Sequence, residues 1–315
     1  MNSLPLQEPT SSVGTTGANL FAWDQMGVRF VRNATASYPI NFSICTLMIR
    51  EERYGKMVES FTSKGFHSGN SEFIALDNRG ENRFDGYSWL RRVLPEVRGK
   101  YILFCHDDIE LLSDGYDDLV RCLDNLEAQD SKWTIAGNAG HVAGGIRTWN
   151  SSGARYLVSP GNHVDRAGLI PCEVESMDEN FFVINRDRLV VGSLDLSGFH
   201  FYASDLALNS ERAGGRAYVI PFEVLHDSWG NRDPSFYVLR EMFRKKHRAY
   251  HPYRIYVTTT GVLWFGGMGV WKHVKNMILG NRDRGRVRSE HDYRRGSLWV
   301  RAKRKAIRIV TRRMS

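Results

Sequence analysis

Apolar runs separated by polar turns begin after Pro39 and set the frame for the first half of the chain. The run FSICTLMI at 42–49 is continuous, apolar and rich in β-formers, the pattern of a strand buried on both faces. It is followed by EERYGKMVESFTSKGF at 51–66, with two acids at its start and Tyr54, Met57, Val58 and Phe61 on one helical face. Together they predict a βα unit. The pattern repeats: EFIALDN at 72–78 reads as a strand ending in Asp77 and Asn78, DGYSWLRRVLPEV at 85–97 as a helix interrupted by Pro95, and YILFCHDDIEL at 101–111 as a strand running into polar residues. Strands alternating with helices predict an α/β fold, a mixed, mostly parallel sheet flanked by helices, whose ligands bind beyond the strands' carboxyl ends.

The alternation continues less regularly. A helix over 114–130 leads to a strand over 133–140, then to a long polar, Gly-rich region reaching about residue 171. Beyond it come an apolar strand at 181–190, an aromatic segment opening a helix within 199–215, a strand at 217–228 and a basic aromatic helix at 234–256. The apolar stretch 257–271 holds 15 residues with three threonines and four glycines, short of the roughly 20 a spanning helix needs. At 297–315, Trp299, Ala302, Ala306, Ile309 and Val310 recur at helical spacing among arginines and lysines, which reads either as a helix lying on an anionic membrane surface or as a solvated basic tail.

A length of 315 residues with 42% hydrophobic and 25% charged side chains is that of a folded protein and excludes a mainly disordered or polytopic membrane chain. The pattern predicts an irregular lead-in over 1–38, an α/β domain over 39–233 and a basic helical extension over 234–315. The net charge of +8 conceals a gradient: residues 1–239 carry −9, residues 240–280 carry +7 and residues 281–315 carry +10. An acidic first three quarters argues against a nucleic-acid-binding core. Cys45, Cys105, Cys122 and Cys172 stand far apart with no metal or disulfide spacing, and the N-terminus shows no basic segment followed by an apolar one. These features predict reduced thiols and a cytoplasmic protein, peripheral on the inner face of the membrane.

The chemistry concentrates at strand ends. In FCHDDIEL at 104–111 an apolar strand delivers His106, Asp107 and Asp108, carboxylates suited to a hard divalent cation beside a phosphate group or, alternatively, to capping the next helix. IPFEVLHDSWG at 220–230 ends a strand in His226, structural if alone and a ligand if it meets a carboxylate pair. In GFHFYASDLALNSERAGG at 198–215, Asp205 opens a helix as an N-terminal cap or serves as a general base. Asp178 and Glu179 in ESMDENFFVINRD at 175–187 form a charged turn or bind sugar hydroxyls. The chain has no GxxxxGK[ST] loop, no GxGxxG turn after its first strand, no HExxH and no GxSxG, which sets aside P-loop NTPases, dinucleotide-binding dehydrogenases, zincins and α/β-hydrolases.

Taken in order from Phe42 to Gly230, these segments resemble the nucleotide-sugar-dependent glycosyltransferases of the GT-A fold, in the family 2 branch whose metal motif reads roughly HxD in place of DxD. The resemblance implies an inverting hexosyltransferase of polysaccharide biosynthesis. It would move a sugar from a nucleotide diphosphate sugar to a hydroxyl of a glycan or lipid-linked acceptor. It implies Asp77, Asn78, His106 and Asp107 at the donor nucleotide, Asp108 and His226 as ligands of Mn²⁺ or Mg²⁺, Asp178 and Glu179 on the acceptor side, and Asp205 as base. His106 stands where the usual DxD pattern has a carboxylate. The partners expected are the donor, the acceptor and an anionic membrane surface, with no nucleic acid. The alternative is a non-catalytic carbohydrate- or nucleotide-binding protein on the same fold.

Overall fold

The computed structural model of the protein describes residues 37–142, 153–228, 230, 232–252 and 254–266. The chain divides into two units, Met1–Ser37 and Tyr38–Ser315, and all the described helices and strands belong to the second. All but two residues of the expected lead-in, the basic stretch 297–315 and the end of the apolar stretch 257–271 lie outside the described residues.

The elements run β1 (Ile40–Met48), α1 (Glu51–Ser63), β2 (Ser71–Asp77), α2 (Trp89–Val93), β3 (Gly99–Cys105), β4 (Ile109–Glu110), α3 (Tyr116–Gln129), β5 (Trp133–Gly137), β6 (Ala139–His141), β7 (Gly153–Ser159), β8 (His163–Ala167), β9 (Cys172–Val174), β10 (Ser176–Met177), β11 (Phe181–Asn185), α4 (Tyr202–Arg212), β12 (Arg216–Val219), β13 (Val224–His226), α5 (Pro234–Arg248), β14 (Ile255–Thr258) and β15 (Gly261–Trp264). The main sheet has the order β2-β1-β3-β11-β5-β12-β9. Strands β2, β1 and β3 are parallel, as are β5 and β12, while β11 enters antiparallel between β3 and β5, and β9 antiparallel at the edge. The fold is the mixed α/β one expected from the alternation.

Period-two geometry explains why the central strands read as unbroken apolar runs. Ile102 and Phe104 of β3, with Phe182 and Ile184 of β11, enter the core under α2, α4 and α5. Leu103 and Cys105, with Phe181 and Val183, enter the core under α1 and α3. Both faces are covered, so both sets are apolar. Helix α5 belongs to the first core through Phe236, Leu239 and Phe243, so the start of the stretch after residue 233 packs back on the domain.

The polar, Gly-rich region supplies β7 and β8 to a second sheet of order β10-β6-β7-β13-β4, with β8 paired to β7. Gly161 and Asn162 turn β7 into β8 at φ +77° and +59°, a left-handed pair that glycine and asparagine tolerate. Among the described residues no helix is long and apolar enough to cross a membrane, and the start of the 257–271 stretch is the β14–β15 hairpin.

Candidate active site

Two strand pairings bring the site together. β3 ends at Cys105, and the chain turns through His106, Asp107 and Asp108 before resuming as β4. β4 pairs antiparallel with β13 so that Ile109 stands opposite His226, which carries that imidazole to the turn. β11 pairs with β3 so that Phe181 stands opposite Cys105, and the His106 amide donates to the Asn180 carbonyl at 3.0 Å. The segment 178–180 is thereby held against His106. Residues far apart in the chain converge because one turn is shared by both sheets.

His106, Asp108 and His226 offer ligand atoms within 4.8 Å of one another, the set among the described residues with the spacing to hold a metal ion. Asp108 is the centre of it. Its Oδ2 accepts from Arg53 Nη1 at 3.3 Å, while its Oδ1 is buried and accepts no hydrogen bond, with His226 Nε2 3.5 Å away. A buried carboxylate oxygen without a donor is costly unless a cation or proton meets it. The two rings lie 5.5 Å apart, and His226 Nε2 also meets Ser228 Oγ at 3.1 Å. Burial, and then the neighbouring His226, pull His106 down to about 4. It is therefore a neutral imidazole at physiological pH, the form that ligates metal. Two imidazoles and a carboxylate fit a divalent first-row metal such as Mn²⁺ better than Mg²⁺, which prefers an all-oxygen shell.

A polar cavity of about 290 Å³ adjoins Asp108, lined by Arg50, Arg53, Lys56, Glu110 and Asp227 among others. The three cations recur every third residue from the end of β1 into α1, so one helical edge presents them. Sequence reasoning passed them over. Their signal was the spacing of three basic residues just past the carboxyl end of a buried strand.

Several expected site residues already have partners within the fold. Asp107 is 8% exposed, and its Oδ2 accepts from the backbone amides of Ile49 and Arg50, each at 3.0 Å. It braces the β1–α1 junction while also lining the cavity beside Asp108. Asn78 is buried, donating from Nδ2 to the Phe84 carbonyl at 2.8 Å and accepting the Phe84 amide at 2.9 Å, so its side chain closes a loop. Asp77 is partly exposed and paired with Arg79 and Arg83, with hydrogen bonds from Arg79 holding its carboxyl at about 2.

Asp205 gives the largest departure. It is fully buried, accepting from Ser193 N at 2.7 Å, Ser193 Oγ at 2.8 Å and Asn209 Nδ2 at 3.1 Å, with His247 Nε2 at 2.8 Å. Neither is it the helix cap, since that position is Phe201. A carboxylate so enclosed has no access to an acceptor. Asp178 and Glu179, in contrast, are partly exposed. Asp178 accepts the Asn180 amide through Oδ1 at 3.2 Å and acts electrostatically on both His106 and His141. Glu179 meets the backbone amides of Phe201 and Tyr202 at the start of α4, and burial together with Asp178 pushes its acid well up.

No family model matches the sequence. The protein called ATP synthase subunits region ORF 6, from Fuscovulum blasticum, is 40% identical over 226 residues, which make up 72% of this chain and 91% of that protein. Among solved structures, S. aureus TarS aligns with a TM-score of 0.39 at 10% identity, over 66% of this chain and 40% of that one. The 1–349 fragment of TarS in complex with UDP-GlcNAc aligns with a TM-score of 0.40 at 9% identity, over 66% of this chain and 67% of that one.

Proposed function

The chain belongs to the family of the ATP synthase subunits region ORF 6 protein of Fuscovulum blasticum, and we propose that it is a glycosyltransferase of the GT-A type that moves a sugar from a nucleotide diphosphate sugar to a hydroxyl. The observation that carries this reading is the unpartnered Asp108 Oδ1 between two histidines at the end of the central strand, beside a cavity edged by three cations. His106, Asp108 and His226 would hold a divalent cation, preferably Mn²⁺. Bound there, the cation supplies positive charge to the phosphates of the departing nucleoside diphosphate. Arg50, Arg53 and Lys56, which line the same cavity, add the protein's own charge and orient the diphosphate.

Asp178 takes the acceptor proton. It is open to solvent on one side and close enough to His106 to act on it, whereas Asp205 is enclosed. Glu179, in the β10–β11 loop against the start of α4, binds the acceptor's hydroxyls. The acceptor is a glycan or a lipid-linked sugar. The outer face of α5, with Val238 63% and Met242 40% exposed beside Lys245, supports contact with an anionic membrane surface.

A panel of UDP-, GDP- and dTDP-sugars, followed for hydrolysis and transfer in Mn²⁺ or in EDTA, tests the proposal. One donor should turn over only with metal and be lost in Asp108→Ala. Transfer should fall about 10²- to 10⁴-fold in Asp178→Asn. Turnover indifferent to EDTA and to Asp108→Ala would remove the metal from the reaction. The enclosure of Asp205, the residue the family pattern nominates as base, favours a second reading as a non-catalytic sugar-nucleotide-binding protein. That reading expects donor binding in calorimetry without turnover.

A further inference from the structure

Tyr202, the first residue of α4, is 2% exposed, yet its hydroxyl reaches the candidate metal site. It lies 3.0 Å from His106 Nε2 and donates to the Glu179 carbonyl at 3.2 Å. A phenol has one proton, and a carbonyl oxygen can only accept. With that proton directed to Glu179, the phenolic oxygen accepts at His106, so Nε2 must carry the hydrogen. In a neutral imidazole the lone pair then resides on Nδ1.

We propose that Tyr202 is a positioning residue that fixes the orientation and tautomer of His106, making Nδ1 the nitrogen offered to a divalent cation. The inference rests on the reading of His106, Asp108 and His226 as a metal centre.

The surroundings hold the phenol in one place. Its ring packs edge-on against Phe104 at 5.5 Å and Tyr87 at 6.5 Å, and tilted against Phe182 at 6.3 Å. A β-carbon on Gly86 would collide with the ring, so glycine there leaves the notch that the tyrosine fills. Phe201, immediately before, adopts a left-handed backbone at φ +65°, unusual for a bulky side chain and held by its ring packing on Phe236 and Phe243. That turn aims the first residue of α4 at His106. The His106 amide bonded to Asn180 and the phenol bonded to Glu179 grip the same histidine through adjacent residues of one segment. Such outer partners of metal-ligating histidines set both tautomer and ring direction.

The test combines ¹⁵N NMR of the His106 ring in the metal-free full chain with calorimetric titration of Mn²⁺ alone. The wild type should show the Nε2–H tautomer, and Tyr202→Phe a mixture. Tyr202→Phe should still unfold cooperatively but bind Mn²⁺ about 10- to 100-fold more weakly. Gly86→Ala, which displaces the ring without touching the site, should weaken Mn²⁺ binding in the same direction. Adding Tyr202→Phe to His106→Ala should weaken binding no further. An Nδ1–H tautomer in the wild type, or wild-type affinity in both Tyr202→Phe and Gly86→Ala, overturns the inference. If instead Asp108→Ala binds Mn²⁺ as tightly as the wild type, the metal-centre reading fails, while the NMR still decides whether Tyr202 sets the tautomer.

Discussion

At the Asp205 carboxylate, donors from Ser193, Asn209 and His247 converge where no solvent reaches, and the three come from a loop, the same helix and α5. Removing a buried charged partner leaves the others without compensation. Asp205→Ala should therefore lower stability by about 3–5 kcal/mol, read as a fall in the urea midpoint. Asp178→Asn should leave that midpoint within about 0.5 kcal/mol of wild type and act on transfer alone. The reverse pattern would return the role of base to Asp205. Acidity separates the histidines in a similar way. Because His106 is pulled from the usual 6.5 to about 4, an unfolded chain between those values binds a proton that the folded one refuses. Stability then rises with pH across the window and is lost as pH falls from about 6.5 towards 4. His141, also held near 4 by burial and Arg155, adds to the same slope. Urea midpoints at pH 4.5, 5.5 and 7 should show a shallower fall in His106→Gln than in wild type.

Helix α5 ties the element scale together, because its inner face completes the core over α4. Phe243 is fully buried against Phe201, Tyr256, Phe265 and His247. Phe243→Ala should cost about 3–5 kcal/mol in chemical denaturation. Asp233 caps the same helix, accepting the Ser235 amide at 2.8 Å and the Phe236 amide at 3.3 Å, so Asp233→Ala should cost about 1 kcal/mol. Elements whose pattern is carried by local apolar periodicity were legible in the sequence. β1, α1, β2 and α3 fall within a few residues of where FSICTLMI, the Tyr54–Phe61 face and their counterparts put them, while the helix expected over 234–256 ends at Arg248 and β14 begins at Ile255. The second sheet was not legible, since β6 and β8 are short, β8 is mostly polar, and β7 lies inside a polar, Gly-rich stretch. The strands that join them into a sheet, β10, β13 and β4, lie elsewhere in the chain, and no local period announces those pairings. The same limit applied to the site. His106, Asp108 and His226 were visible as polar ends of apolar strands, but the enclosure of Asp205 depends on His247, 42 residues away. The brace formed by Asp107 depends on amides 57 and 58 residues away.

At the scale of the whole chain, a net charge of −9 over residues 1–239 against +17 over the rest shows that the cations edging the cavity are a local exception in an acidic part of the sequence. Arg50, Arg53 and Lys56 are concentrated where five carboxylates also line the cavity, an arrangement suited to a ligand that brings both phosphate and metal. A cation that binds only the folded chain must stabilise it by mass action. Mn²⁺ at 100 times its dissociation constant should add about 2.7 kcal/mol, seen as a rise in melting temperature that Asp108→Ala abolishes. Anomalous diffraction at the manganese edge, from crystals grown with Mn²⁺ and a nucleoside diphosphate, would locate metal and phosphates together. A peak is expected within about 2.0–2.3 Å of ligand atoms from His106, Asp108 and His226, with the phosphates between that peak and Arg50, Arg53 and Lys56. A nucleotide bound elsewhere, with no manganese at the three side chains, would contradict the assignment of this site.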